Sequence, residues 1–429
     1  MTGSTDRETA RSASDEGVRR AVAAVWRIES AKIVATLTRV VGDFGLAEDL
    51  AQEALLDALR QWPVDGLPRN GAAWLTAVAK RKAIDGWRRR ERLDDRMAVL
   101  AHDLEREQAE VADAPPWDPD AVDDDVLRLI FISCHPVLSR EAQVALTLRV
   151  VGGLSSEEIA RAFLVPTATV QQRIVRAKKT LGAAHVPFEM PPREEHAERL
   201  GAILGVLYLI FNEGHAASSG PDWMRPELSL EAIRLTRVLV ALMPRERDVH
   251  SLLALMELTA ARFPARVDIH GEPVLLADQD RRRWDRSRIA RGRAALATAD
   301  ALGSGRGPYG LQAAIAECHA LAPSVDDTDW DRIVLLYEAL GRLAPSPVVE
   351  LNRAAAVAMA TGPASALQII DRLAASGALA GYHLLPATRA ELLLRLGRDE
   401  EARSEFAVAA ALAGNDRERA VLLAKAAER

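Results

Sequence analysis

Apolar residues recur at helical spacing along almost the whole 429-residue chain, broken at intervals by glycine and proline, with no series of alternating β-branched residues between hairpin turns. That pattern predicts an all-α protein. A chain this long exceeds what one hydrophobic core usually holds, so two or three domains are expected, and the punctuation places them. A helical block covers 18–100, an acidic linker 101–125 and a second block 126–185. After a break at Pro187, Pro191 and Pro192, a long helical region spans 194–429. From Asp103 to Asp125 there are ten acids against one base, Arg106, and three prolines, the composition of a linker.

The third region carries a weak repeat. Helix pairs turn at Gly362 and Gly397, 35 residues apart, near the roughly 34 residues of a tetratricopeptide repeat. The segment from Trp330 ends a helix at Pro345, and Ala354, Ala355, Ala356 and Ala366 would let neighbouring helices approach. A tetratricopeptide-like solenoid is expected from about residue 325.

The stretch LSSEEIARAFLVPTATVQQRIVRAKKTL (154–181) reads as two short helices around a tight corner. Ser155 with Glu158 forms a capping box, Val165-Pro166 stops the first helix, and Thr167 is placed to cap the second. The second helix would turn Val170, Ile174, Ala177 and Leu181 inward. Its other face carries Ala168, Gln171, Gln172, Val175, Arg176 and Lys179, with no acid between Pro166 and Leu181. Glutamine can pair with adenine, arginine with guanine, valine with a thymine methyl and lysine with phosphate, the chemistry of a recognition helix. A solvated amphipathic hairpin is the alternative.

A second basic patch is WLTAVAKRKAIDGWRRRER (74–92), where Lys80 to Arg92 holds seven bases and two acids. Cations that follow a backbone and rings that stack on bases suit separated strands, although Trp74 and Trp87 equally suit a core. Just upstream, FGLAEDLAQEALLDALRQW predicts a helix with Leu50, Ala54, Leu55, Ala58, Leu59 and Trp62 inward. Its outward stripe of Asp49, Gln52, Glu53, Asp57 and Arg60 suits a protein partner. A net charge of −6 argues against indiscriminate coating of nucleic acid, so DNA contact would fall to these local patches.

Taken in order, these segments resemble sigma factors of the extracytoplasmic-function type over about 18–181. AEDLAQEALLDALRQW looks like the region 2.2 helix, WLTAVAKRKAIDGWRRRER like regions 2.3 and 2.4, and AQVALTLRVVGGLSSEEIARAFLVPTATVQQRIVRAKKTL like region 4. The resemblance implies two small helical sigma domains joined by the linker, with core RNA polymerase and promoter DNA as partners and catalysis left to polymerase. It implies that Asp49, Gln52 and Glu53 meet the β′ clamp helices and that region 4 meets the β flap. It places Arg69, Asn70, Trp74, Lys80, Arg81, Arg88 and Arg89 at the minus-ten element. Thr167, Thr169, Gln171, Gln172, Val175, Arg176 and Lys179 fall at the upstream element. One position departs: Arg81 stands where many such factors have asparagine, while Trp74, Leu75, Ala79 and Asp85 match.

Ordinary members end soon after region 4. YLIFNEGHAASSG, LLADQDRRRWD, GPYGLQAAIAECHA and SPVVELNRAAAVA resemble a subgroup with a long helical extension, which implies a regulatory module with a protein or peptide partner. A stand-alone helix-turn-helix regulator with a helical sensor is the alternative, but it leaves the first block unexplained. An enzyme finds little support: phosphate-loop, nucleophile-elbow and zinc-protease signatures are absent, and no cofactor or metal is expected. Glu213 and His215 of FNEGH are read as tying a helix end to its neighbour, and LLADQDRRRWDRSRIARGR as a salt-bridged surface rather than a site for something acidic. Cys134 and Cys318 lack metal-ligand spacing and are read as buried small residues. No long uncharged apolar run exists and the N-terminus is polar, so a cytoplasmic location is expected.

Overall fold

The computed structural model describes residues 3–91, 119–163, 165–192, 194–216, 224–269, 272–274, 276–303 and 305–427. Most of the expected acidic linker lies outside the described residues. Two compact units divide the chain, Met1–Val206 and Leu207–Arg429. Among the described residues the secondary structure is helical, with one isolated bridge between Val267 and Pro273.

In the first unit, α1 (Gly3–Val41), α2 (Phe44–Asp65) and α3 (Gly71–Glu91) pack mutually. Local chemistry sets the boundaries: Asp43 Oδ1 accepts from Leu46 N (2.7 Å), Asn70 Oδ1 accepts from Ala73 N (3.0 Å), and Gly66 leaves α2 at φ +88°. The face that α2 buries is mostly alanine, Ala47, Ala51, Ala54 and Ala58, completed by Leu50 and Trp62. Small residues let α1 and α3 approach closely. The expected inward Leu59 is therefore 36% exposed and Leu55 only half-buried, because the alanine stripe meets the core instead.

Next come α4 (Pro119–Ser133), α5 (Arg140–Leu146) with a π turn over Thr147–Val151, α6 (Ser156–Phe163) and α7 (Thr167–Ala183). Leu129, Leu146, Leu148, Ile159 and Val170 fill their core. The capping box forms in both directions, Glu158 N donating to Ser155 Oγ (3.1 Å) and Ser155 N to Glu158 Oε2 (2.7 Å). Ser155→Ala should cost about 1 kcal/mol by chemical denaturation; an unchanged midpoint would show that Glu158 alone holds this helix start. Thr167 does not cap α7. Pro166 takes that position without a side-chain hydrogen bond, and its carbonyl accepts from Thr169 N and Val170 N.

These two helical groups belong to one body. α1 lies against α4 and the π turn, and α2 against α7. Gly153, at φ +70°, is where the close approach is most exacting: an added Cβ would stand 2.7 Å from Ser30 Oγ and 3.2 Å from Arg27 Cα. Arg27 reaches Glu158 at 2.9 Å, and the buried Asp125 carboxylate pairs with Arg39 (2.9 Å) and Arg128 (2.6 Å).

The boundary between the units falls inside α8 (His196–His215). In the second unit, α9 (Pro226–Leu242), α10 (Arg247–Ala260), α11 (Arg286–Leu302) and α12 (Pro308–Leu321) follow, with Leu258, Trp284, Leu296 and Ala313 in their core. Then α13 (Trp330–Leu343), α14 (Pro347–Ala360), α15 (Pro363–Ser376), α16 (Leu384–Arg395), α17 (Asp399–Leu412) and α18 (Asp416–Ala427) each pack on the next. Alternate helices begin at Trp330, Pro363 and Asp399, a spacing close to the roughly 34 residues of tetratricopeptide repeats. Ala354, Ala356 and Ala366 are buried at the helix contacts, whereas Ala355 faces outward. Both cysteines are buried, and burial pushes the Cys134 thiol up to about 12. No helix among the described residues is long and apolar enough to cross a membrane.

Candidate nucleic-acid interface

α7 presents two distinct faces. Val170, Ile174, Ala177 and Leu181 are buried, as their spacing requires, and Gln171, Gln172, Val175, Arg176 and Lys179 are exposed. Val175 keeps half of its surface in solvent, an apolar contact point between two glutamines and an arginine. Thr167 and Thr169 sit half-buried at the start of the same helix. The expected upstream-element residues are thus brought together along one helix.

Lys178, outside that set, turns from α7 onto α2. Its ammonium pairs with the buried Glu48 and with Asp49 (2.7 Å), and Arg149 reaches Glu48 at 3.4 Å. Burial pulls the Lys178 pKa down, but the two carboxylates outweigh it and leave the ammonium above its usual range. Asp49, expected as an outward polymerase contact, is exposed yet already engaged. Sequence spacing did not reveal Lys178's role, because it falls between the two faces of its own helix and its partner lies 129 residues away.

On α2, Gln52 is half-buried and Glu53 exposed. Lys82 of α3 bridges Asp57 (2.9 Å) and Glu53 (3.3 Å), and the Asp57 hydrogen bond is the main reason its ammonium lies above the ordinary range. Leu56 and Leu59 stand exposed on the same helix, giving the polar stripe an apolar border.

The expected minus-ten residues divide in three. Arg69 and Asn70 are exposed where α3 begins, Asn70 spending its side-chain oxygen on the cap. Trp74 meets Trp62 edge-on with ring centroids 5.5 Å apart, and its remaining surface joins Gln61, Val78, Arg81, Lys82 and Asp85 in a shallow pocket between α2 and α3. Trp74 is therefore packed along one edge and accessible along another. Lys80 is half-buried and Arg81 exposed. The side chains of Trp87, Arg88 and Arg89 lie outside the described residues. Among the described residues no cluster of three or more His, Cys, Asp or Glu is arranged to hold a metal ion.

The chain matches the family models for sigma-70 region 2 over 28–93 and for sigma-70, region 4, over 128–181. It is 32% identical over 161 residues to the RNA polymerase sigma-H factor of Pseudomonas aeruginosa, covering 37% of this chain and 82% of that protein. The chain belongs to the extracytoplasmic-function sigma factors. The probable ECF RNA polymerase sigma factor SigI of Mycobacterium tuberculosis is 31% identical over 177 residues, an alignment that spans 40% of this sigma factor and 58% of SigI. An uncharacterized protein of Rhizobium meliloti is 46% identical over 389 residues, 90% of each chain, so the likeness there extends through the second unit. Residues 199–300 match a family of unknown function, DUF6596. No solved structure matches. The region 2 match gives the first helical block the role that a stand-alone regulator would leave empty. As a sigma factor, the protein directs transcription initiation.

Proposed function

We propose that this sigma factor docks on the β′ clamp helices of core RNA polymerase through Asp49, Gln52 and Glu53, with Leu56 and Leu59 supplying the apolar part of the contact. Region 4, docked at the β flap, lays α7 in the major groove of the upstream element. There Gln171, Gln172, Val175 and Arg176 meet base edges, while Thr167, Thr169 and Lys179 meet the backbone. α3 handles separated strands: Arg69, Asn70, Lys80, Arg81, Arg88 and Arg89 follow phosphates or base edges, and the pocket beside Trp74 accepts an unstacked base. The second unit regulates this activity through a protein or peptide partner. The observation that supports the reading is the acid-free, exposed face of α7 in the same unit as the pocket of α3, where Trp74 and Arg81 lie beside Asp57, Lys82 and Asp85.

Run-off transcription with core polymerase tests it. Gln172→Ala and Arg176→Ala should each lose about 1–3 kcal/mol of discrimination at the upstream element, read as altered promoter preference. Lys179→Ala should weaken all promoters alike and flatten the salt dependence by about one counterion. Equal responses from all three would mean that this face of α7 does not read bases. Glu53→Gln should reduce co-purification with polymerase while the helical signal is retained; undiminished co-purification would remove α2 from the interface.

A further inference from the structure

Three motifs of the second unit lie outside the two sigma-region matches, and the fold brings them to one place. Arg266 donates to the carbonyl oxygen of His215 (2.7 Å), from FNEGH, and lies against its imidazole. Glu213 of the same motif pairs with Arg225, the helix-end tie expected from sequence. Arg281 and Trp284 come from LLADQDRRRWD. Arg281 is 7% exposed and donates to the carbonyls of His319, from GPYGLQAAIAECHA, and Ala322 (2.9 Å). The expectation of a salt-bridged helix surface therefore fails at Arg281, which lies in a tight 3-10 turn that carries it inward. Arg262 joins from the end of α10: its guanidinium lies 5.5 Å from the Trp284 ring centroid, against 4.9 Å for Arg281.

What Arg262 and Arg281 lack is a close counter-charge. Among the described residues neither Arg262 nor Arg281 forms a salt bridge. Arg262 donates to the neutral Gln279 amide oxygen (3.3 Å), and Arg281 to carbonyls and the Thr328 hydroxyl (3.3 Å), with Asp327 acting only at longer range. Dipoles satisfy hydrogen bonds without neutralising net charge, and buried charge without a counter-charge is costly. Burial, together with Arg262 and Arg281, holds His319 down to about 3, so it does not add to the charge. Burial and then Arg281 bring Arg262 to about 10, the mark of cations crowding one another. Three buried polar atoms here have no partner: Arg281 Nε, Trp284 Nε1 and His319 Nδ1. The same unit neutralises its buried Glu257 fully, with Arg237, Arg288 and Arg291.

We propose that Arg262, Arg281, Trp284 and His319 form a binding site for a small phosphate-bearing ligand. A phosphate dianion supplies the missing charge and several acceptors at once, matching planar guanidinium forks and an indole N–H better than a single carboxylate does. Arg262 is half-buried, so its side chain lies nearer the surface of the unit than those of Arg281 and Trp284. The inference concerns the second unit alone and does not depend on how the first unit meets DNA or polymerase.

The test uses the full chain. Equilibrium dialysis and thermal unfolding are run with inorganic phosphate, with glycerol 3-phosphate and with succinate, against chloride at equal ionic strength. One phosphate per chain and a melting temperature that rises with phosphate concentration are expected. Tighter binding of glycerol 3-phosphate would identify a phosphate ester, and tighter inorganic phosphate the free ion. Arg262→Gln should weaken binding by about tenfold or more, the loss of a charge-assisted bond. Arg282→Gln, fully exposed one residue beyond Arg281, should leave it unchanged. Should Arg262→Gln fail to fold, the dialysis stoichiometry of the unaltered chain decides alone. No uptake beyond chloride, equal binding of succinate, or full binding by a folded Arg262→Gln protein would each overturn the proposal.

Discussion

Glu257→Ala should destabilise the C-terminal unit by about 3 kcal/mol, the lower end of the range for breaking a buried ion pair. Glu257 is 1% exposed on α10 and receives Arg237 from α9 together with Arg288 (3.0 Å) and Arg291 (3.3 Å) from α11. One carboxylate thus joins three helices. Its removal leaves three guanidiniums facing one another, but they are not equally trapped. Arg237 and Arg291 keep 46% of their side-chain surface in solvent and can turn toward water, whereas Arg288, at 19%, cannot do so as easily. Glu257→Gln keeps the shape and one acceptor, so its cost should fall between wild type and alanine. Denaturant unfolding followed by circular dichroism measures both. A loss below 1 kcal/mol for the alanine variant would mean that all three arginines relax to solvent and that apolar packing alone joins these helices.

Helix order and the two faces of α7 were legible in sequence because they depend on residues three and four apart on one element. Ser155 and Glu158 form their capping box for the same reason: the partners are local. What could not be read is which stripe of an element meets its neighbour when several stripes are apolar. On α2 both an alanine stripe and a leucine stripe were available. Close packing against α1 selects the alanines and leaves Leu56 and Leu59 in solvent. Charge is harder still, since its meaning depends on burial. Arg281 and Arg282 are adjacent and chemically identical, yet one is enclosed by carbonyls and the other is exposed beside Asp280. Lys82 finds Asp57, and Lys178 finds Glu48, only after helices distant in sequence have packed. The pattern of one helix shows what it can offer, and tertiary packing decides what is spent internally.

Lys178→Met should loosen the first unit and tighten its binding to core polymerase by about tenfold or more. Promoter geometry supplies the reason. On the proposed reading α3 and α7 meet elements centred near minus ten and minus thirty-five, about 25 base pairs and on the order of 85 Å of duplex apart at roughly 3.4 Å per pair. α3 and α7 both pack on α2, which at about 8–10 Å between helix axes puts them on the order of 20 Å apart, so they cannot reach both elements while packed together. On that reading the unit has to open before it initiates transcription. Lys178 ties α7 to α2, its side chain largely buried between Glu48 and Asp49, and so engages a carboxylate proposed to meet polymerase. Removing one partner of such a pair costs the closed form about 2–5 kcal/mol, tempered here because Arg149 stays with Glu48. If the open form is the one that binds, apparent affinity rises with its population. Methionine preserves the apolar stem, so the α7 core is left intact. X-ray scattering of the free protein should show a larger radius, and binding to core polymerase without DNA should show the gain in affinity. An unchanged radius with unchanged affinity would mean that apolar contact around Gly153 holds the unit closed and that the ion pair contributes nothing to the equilibrium.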